Sequence, residues 1–334
     1  MRPLLALAAT ALVLARAADP ATSPVVVAVV DSGVDPSVPG LIAGHNVFDD
    51  SADTHDDQGH GTGVARVVAT ACGGCRILPV KIDANGTSTQ GTIAAGIRWA
   101  AEHGARVINL SWGLALGARS THEVERAIAN ATARGALVTT GAMNDGTRNP
   151  QINPWASDSP DAVRATAVDD QGQLLPASNH GVWVDLGASG TASSNAAPRV
   201  AAAAAEVLAA HPQLTPQQVR AALRRGCRPQ PQLDVGWHCV LDPDGAVKAA
   251  GTNVPTYRLY VGKAGKGAGA VTGGAIECGL FCTDRLDGGT RVILRAAPLR
   301  GSRFLRWLGV CRGTRPTCAL RIAGPTKTTA VFAP

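Results

Sequence analysis

The sequence predicts an α/β domain built on a parallel sheet with helices on both faces, followed by a small all-β domain. Three observations lead there. Between residues 25 and 211, short apolar runs alternate with helical patterns, the rhythm of strands joined by crossover helices. Those runs lack in–out alternation, as strands covered on both faces do. After "GTNVPT" at 251–256 the chain turns Gly- and Arg-rich, with alternating segments such as "RVILRAAP" and "TTAVFAP" and no helical pattern between them. A separate β domain therefore begins near Thr252.

The opening "MRPLLALAATALVLARA" joins Arg2 to an apolar stretch at 4–14 and to small residues at Ala15 and Ala17. This is the pattern of a secretory signal peptide, 1–17, cleaved after Ala17. The apolar stretch is too short to span a bilayer and nothing later is longer, so no transmembrane segment is expected. The α/β domain then occupies 18–252 and the β module 253–334. Strands are expected at 25–30, 76–82, 106–110, 136–140 and 163–168. Helices are expected at 60–71, 89–103 and 120–134, the last opened by a capping box of Ser120 and Glu123 and stopped by Gly135. A fourth is the alanine-rich run "SSNAAPRVAAAAAEVLAA". The fifth starts at "TPQQ", with Thr215 as cap, Pro216 in the first turn and Gln218 closing the box.

Eight cysteines in an exported chain read as disulfides, not as a metal site. They allow about 105 connectivities. Their spacing favours four local couples: Cys72 with Cys75, Cys227 with Cys239, Cys278 with Cys282, and Cys311 with Cys318. Charge is unevenly divided. From residue 252 onward, 13 lysines and arginines face three acidic residues, a net +10, whereas residues 18–251 carry 16 basic and 22 acidic groups, a net −6. The two domains are thus expected to meet different partners.

In an open α/β sheet the reactive groups belong at the carboxyl ends of the strands. Asp31 follows "VVVAVV" at such an end, His60 opens a helix in "DQGHGTGVARVVA", and Ser194 opens a later one. Asp, His, Ser is one of the few chain orders in which a catalytic triad occurs. A serine hydroxyl is a weak nucleophile and needs a base within hydrogen-bond reach. Imidazole, with a pKa near neutrality, can take that proton and return it to the leaving amine. A buried carboxylate fixes the imidazole tautomer and stabilises the imidazolium. Each residue also has a plain structural reading: Asp31 as a turn residue, His60 as a loop or cap histidine, Ser193 or Ser194 as a helix cap with Pro198 in the first turn.

These motifs carry a resemblance to the subtilisin family of serine peptidases. "VAVVDSGVD" resembles its aspartate motif and "GHGTGVARVVA" its histidine motif. "INLSWG" is similar to the strand that pairs with substrate backbone, "VTTGAMNDG" to the segment of the oxyanion asparagine, and "ASNHGVWVDLGASG" to the stretch before the nucleophile. "SSNAAPRVAA" matches Ser-x-Ala-x-Pro-x-Val-Ala. The match runs over roughly 25–225. It implies a subtilisin-like fold and a secreted endopeptidase working on protein or peptide substrates, with Asp31, His60 and Ser194 as triad. It further implies Asn144 as oxyanion donor beside the Ser194 amide, and Ser111, Trp112 and Gly113 on the substrate. In this register Ser193 stands at the family's Thr and Ala192 at its Gly; a rival register on Gly190 and Thr191 would put Ala192 at the nucleophile and misplace Pro198. Asn153 is a weaker candidate than Asn144.

Departures are informative. Gly63 replaces a second histidine or small residue, a change expected to be harmless. Met143 replaces the glycine beside the oxyanion asparagine, and the segment between "GASG" and Ser194 is short, which suggests an open leaving-group side. Little chain separates Ala17 from the first strand, so neither a pro-segment nor an N-terminal calcium-binding stretch is expected, and no metal or other cofactor is predicted. The β module, about 255–332, is similar to a small repeat found at the ends of secreted bacterial proteins, with Phe304 and Trp307 as core. Disulfides would supply much of its stability. Its Arg300, Arg303, Arg306, Arg312 and Arg315 suit an anionic surface or polysaccharide, with no specific nucleic-acid target. The alternative to a peptidase is a catalytically silent scaffold that binds through this basic module.

Overall fold

The computed structural model describes residues 24–334 except 84–85, 114–120, 149–158, 160, 253 and 280. The signal-peptide segment 1–17, Ser120 and Asn153 lie outside the described residues.

Strand β1 (Val26–Asp31) is the centre of construction. It pairs in parallel with β3 (Arg76–Lys81) on one side and β4 (Val107–Leu110) on the other. Parallel pairing continues from β4 to β5 (Leu137–Gly141), β6 (Val163–Val168) and β7 (Leu186–Ser189). Short strands β2 (His45–Asn46), β8 (Arg228–Pro229) and β9 (Cys239–Val240) complete a nine-stranded sheet of order β2-β3-β1-β4-β5-β6-β7-β9-β8. The unbroken apolar run of β1 is explained by its two neighbours: Val27 and Val29 enter one core, Ala28 and Val30 the other. Helices α2 (Gln90–Glu102) and α3 (Glu123–Ala133) cover one face. Helices α1 (His60–Ala71), α4 (Ser193–Ala210), α5 (Pro216–Gly226) and α6 (Pro243–Ala250) cover the other. Alanine fills α4 because it is the best helix former and lets the helix lie close to sheet and neighbours; residues 200–205 of α4 are all buried.

One expected helix start and one capping alternative are corrected. Helix α3 begins at Glu123 instead of at 120, and its cap position is His122 in a left-handed conformation (φ 61°) with no side-chain cap bond from that residue. Helix α4 is preceded by Ala192 in extended conformation, and neither serine serves as its cap. Pro198 consequently falls at the sixth helical residue, beyond the first turn, and withholds the N–H that would bond the Ser194 carbonyl. Thr215 does cap α5, in a full capping box with Gln218. Strand β7 and helix α6 are absent from the sequence expectation. The first reads as Leu-Gly-Ala-Ser, too small-residue-rich to stand out as a strand, and the second is only eight residues long.

The β module packs two four-stranded sheets. One has the order β13 (Thr283–Asp287), β10 (Thr256–Gly265), β17 (Thr326–Ala333), β15 (Arg303–Gly309). The other runs β12 (Ile276–Cys278), β11 (Gly269–Gly273), β14 (Arg291–Pro298), β16 (Thr317–Arg321). Leu259, Val261, Val271, Trp307 and Phe332 form its core, with Phe304 packed against it. All eight cysteines are bridged in the four local couples: Cys72–Cys75, Cys227–Cys239, Cys278–Cys282 and Cys311–Cys318.

The module is seated on the N-terminal end of the parallel sheet through buried charge. Asp185, just before β7, accepts from the Arg164 backbone N–H (2.8 Å), from Arg164 Nε (2.8 Å) and Nη2 (3.0 Å), and from Arg220 Nη2 (2.9 Å). Asp284 of the module lies 3.6 Å from Arg220 and 3.4 Å from Arg224. Phe281, also from the module, stacks under the Arg164 guanidinium at 4.8 Å. Asp161 pairs with Arg258 and Arg285, each at 3.3 Å. Burial by itself would raise the Asp185 pKa, but the Arg164 and Arg220 charges outweigh it and hold the carboxyl below its ordinary value.

Candidate active site

The C-terminal end of the same sheet gathers the residues singled out by sequence. Asp31 is the last residue of β1 and wholly buried (0 % exposed). His60 is the first residue of α1. Its Nδ1 lies 2.7 Å from Asp31 Oδ1, which also accepts from the Ser32 N–H at 2.8 Å. The hydrogen bond from Asp31 raises the His60 pKa above its ordinary value; partial burial opposes it, and the Asp31 and Asp56 charges add to it. This close approach needs Gly61, where a Cβ would overlap the Gly33 carbonyl oxygen and come 3.0 Å from Asp31 Cβ.

What holds His60 at the start of its helix is Asp56, a residue the sequence reading passed over. The α1 cap, Gly59, has φ 79° and no side chain to offer. Asp56 does the capping from four residues upstream of His60. Its Oδ1 accepts from Gly59 N (2.9 Å), Gln58 N (3.1 Å) and Ser32 Oγ (2.8 Å), and its Oδ2 from Thr62 N (2.8 Å) and Thr62 Oγ1 (2.6 Å). Ser32 Oγ in turn accepts from Gly61 N at 3.0 Å. One carboxylate thus ties the Asp31 turn to the His60 turn. Burial alone would raise its pKa, but bonds from Thr62, Ser32 and Gln58 prevail and bring it down to about 2. The sequence signal was present in "HDDQGHGTG": an aspartate shortly before a helix whose own cap position is glycine.

Ser194, the second residue of α4, is half-buried, and its hydroxyl makes no hydrogen bond among the described residues; none joins it to His60. The two serines are treated differently by the fold. Ser193 is 2 % exposed, its N–H donates to Asn144 Oδ1 at 2.8 Å, and its Oγ lies over Gly141. It is the inward, anchoring serine. Asn144 Oδ1 is thus taken, while the Ser194 N–H belongs to the first helical turn and has no intrahelical acceptor.

Residues 111–113 leave β4 along the same edge. The Ser111 hydroxyl is buried and accepts from Asn109 Nδ2 at 2.9 Å. Trp112 donates through Nε1 to Ser88 Oγ and holds its ring 5.7 Å from that of His60. Gly113 faces Met143, whose Sδ and Cε would be struck by a Cβ at that position. Adjacent contacts thus run from Asp31 through His60, Trp112, Gly113 and Met143 to Asn144 and Ser193. Gly63 faces open space, where a Cβ meets nothing within 4 Å. Among the described residues no group of three His, Cys, Asp or Glu side chains is placed to hold a metal ion, and no helix is long and apolar enough to cross a membrane.

A buried carboxylate thus holds one imidazole nitrogen, and the Asn144 side chain is bonded at the start of the helix to which Ser194 belongs. Comparison with known proteins places the chain in a family. The model of the subtilase family matches residues 22–237. A thermophilic serine proteinase of Bacillus sp. (strain AK1) is 36% identical over 179 residues, which is 49% of this chain and 43% of that protein. The chain therefore spans about two fifths of that relative's length. Among solved structures, a protease of Pseudoalteromonas arctica superposes with a TM-score of 0.63 at 24% identity over 68% of this chain and 90% of that one. Fervidolysin of Fervidobacterium pennivorans, described as a keratinolytic enzyme related to subtilisin, gives 0.64 at 19% identity over 92% of this chain and 59% of that one. These two likenesses speak for the fold.

Proposed function

Because the chain belongs to the subtilase family, we propose that it is a secreted serine endopeptidase that hydrolyses peptide bonds through an acyl-enzyme on Ser194. The observation that carries this reading is the 2.7 Å contact between His60 Nδ1 and Asp31 Oδ1. It fixes the imidazole so that Nε2 is the nitrogen left to act. His60 takes the Ser194 proton as the hydroxyl attacks the carbonyl carbon. The resulting oxyanion is held by the Asn144 amide and the Ser194 N–H, each such donor contributing about 3–4 kcal/mol to the transition state. His60 then gives its proton to the leaving amine, and water repeats the sequence on the ester. Ser111, Trp112 and Gly113 would lie along the substrate backbone. Secretion is supported by the N-terminal sequence pattern and by four disulfides.

A fluorophosphonate probe tests the assignment. The wild type labels, and Ser194→Ala abolishes labelling together with peptide hydrolysis, a loss on the order of 10⁶ in kcat. Labelling that persists in Ser194→Ala would move the nucleophile to Ser193. An unlabelled wild type would favour the silent-scaffold alternative.

For the module we infer attachment to an anionic polysaccharide or surface. Arg300, Arg303, Arg306, Arg312 and Arg315 are all exposed and none enters an ion pair with the described residues. Arg291 and Arg321 stand directly opposite each other across β14 and β16, an arrangement of like charges that costs stability unless an anion lies between them. The Ser194→Ala chain is expected to bind heparin resin at low salt and to elute steeply as salt rises. Flow-through at low salt would rule the attachment out.

A further inference from the structure

We propose that Met143 closes the recess for the substrate side chain preceding the cleaved bond, restricting cleavage to sites after small residues such as glycine, alanine and serine. This rests on the peptidase reading above. Once Ser194 attacks a carbonyl whose oxygen points to Asn144, the adjoining α-carbon lies one bond away. In the proposed pose its side chain leaves between the Asn144 segment and the segment of Trp112 and Gly113. The structure fills that gap with the Met143 thioether: a Cβ on Gly113 would overlap Sδ and come 2.6 Å from Cε. A glycine at each position would leave an open slot, but here one of the two carries a four-atom side chain that spans it.

Two further observations separate Met143 from an ordinary packing residue. It belongs to none of the buried core clusters and is half-buried. It also holds φ at 73°, a left-handed conformation that non-glycine residues rarely adopt. Strain of that kind persists where the surroundings over-determine the backbone, and here wholly buried Asn179 does so. Its N–H donates to the Met143 carbonyl at 3.2 Å, its Nδ2 to the Ala142 carbonyl at 2.9 Å, and its Oδ1 accepts from Asp145 N (2.9 Å) and Thr147 N (3.1 Å). The loop that presents Asn144 is thereby fixed, and Met143 is carried over Gly113 with it.

The test uses the full chain and matched peptides that differ only in having alanine or phenylalanine before the cleaved bond. The wild type is expected to favour alanine by at least about tenfold in kcat/KM, and Met143→Gly to reduce that ratio by at least about tenfold, the scale on which an enlarged apolar pocket discriminates. Met143→Ala, which shortens the side chain without altering backbone freedom, should move the ratio in the same direction and serves if the glycine variant does not fold. Ratios unchanged in both variants, or a wild type that cleaves equally well after phenylalanine, overturn the inference while leaving the peptidase reading intact. A wild type that neither labels with fluorophosphonate nor cleaves any peptide overturns both.

Discussion

Asp31 and Asp185 are both buried carboxylates of one parallel sheet, at opposite ends of it, and their surroundings differ in kind. Asp185 takes four hydrogen bonds from two arginines, using both oxygens. Asp31 uses Oδ1 for His60 and Ser32 and leaves Oδ2 with no partner among the described residues. Guanidinium groups stay protonated through any working pH, so the Asp185 cluster has one charge state and acts as a fastener. Imidazole changes charge near neutrality, so the Asp31 pair has two and can move a proton. A buried carboxylate does structure or chemistry according to whether its partner titrates.

Substitution should separate the two ends cleanly. Asp31→Asn keeps the shape but loses the charge that supports the imidazolium. Hydrolysis is expected to fall by about 10⁴, with the thermal midpoint moving by no more than about 3 °C, roughly what a 1 kcal/mol change produces in a domain of this size. A large drop in the midpoint would break the contrast. Asp185→Asn leaves Arg164 and Arg220 without their shared counter-charge, and stability in urea should fall by about 3–5 kcal/mol. Residual folded protein should still label at Ser194. Asp284→Asn, on the module side, leaves Asp185 to neutralise Arg220 but strips Arg224, for a smaller loss of about 1–3 kcal/mol. Trp237, over which Arg220 and Arg224 sit at 5.0 and 6.0 Å, gives a fluorescence signal that should follow this loss. An unchanged signal would mean that the module sits on the sheet without help from charge.

The smallest effect is the pH profile. The folded-state pKa of His60 is raised by its bond to Asp31, and the base must be neutral to act, so the acid limb of kcat/KM should lie above the ordinary imidazole value of about 6.5. Stability runs the other way. The charged pair contributes fully below the unfolded-state pKa and loses its contribution as pH rises through the elevated folded value. Activity should therefore climb across the window in which this contribution fades. In Asp31→Asn, residual labelling should show its acid limb displaced to lower pH; an unmoved limb would sever the link between the two residues.

Much of this was legible in the chain. The apolar runs at 25–30 and 163–168 lie within a residue of their strands, because burial on both faces leaves an unmistakable composition. The cysteine couples were legible because each lies within a dozen residues of its mate. The start of α3 was not: a capping-box pattern at Ser120 and Glu123 is a local preference, and the helix begins instead at Glu123, behind a left-handed His122. Asp56 was missed because its five donors come from three separate turns. The Arg164, Asp185, Arg220 and Asp284 cluster was missed because its members are spread over 120 residues of chain and each alone reads as surface charge.

By itself the sequence determined the two textures, the strand and helix rhythm and the chemical types at Asp31, His60, Ser194 and Asn144, since those follow from local composition and short spacing. Only the tertiary structure decided which serine turns inward, that Met143 lies across Gly113, and that a carboxylate from the module reaches Arg220. Those outcomes depend on contacts between segments far apart in the chain, whose geometry exists only once the sheet and its helices have packed.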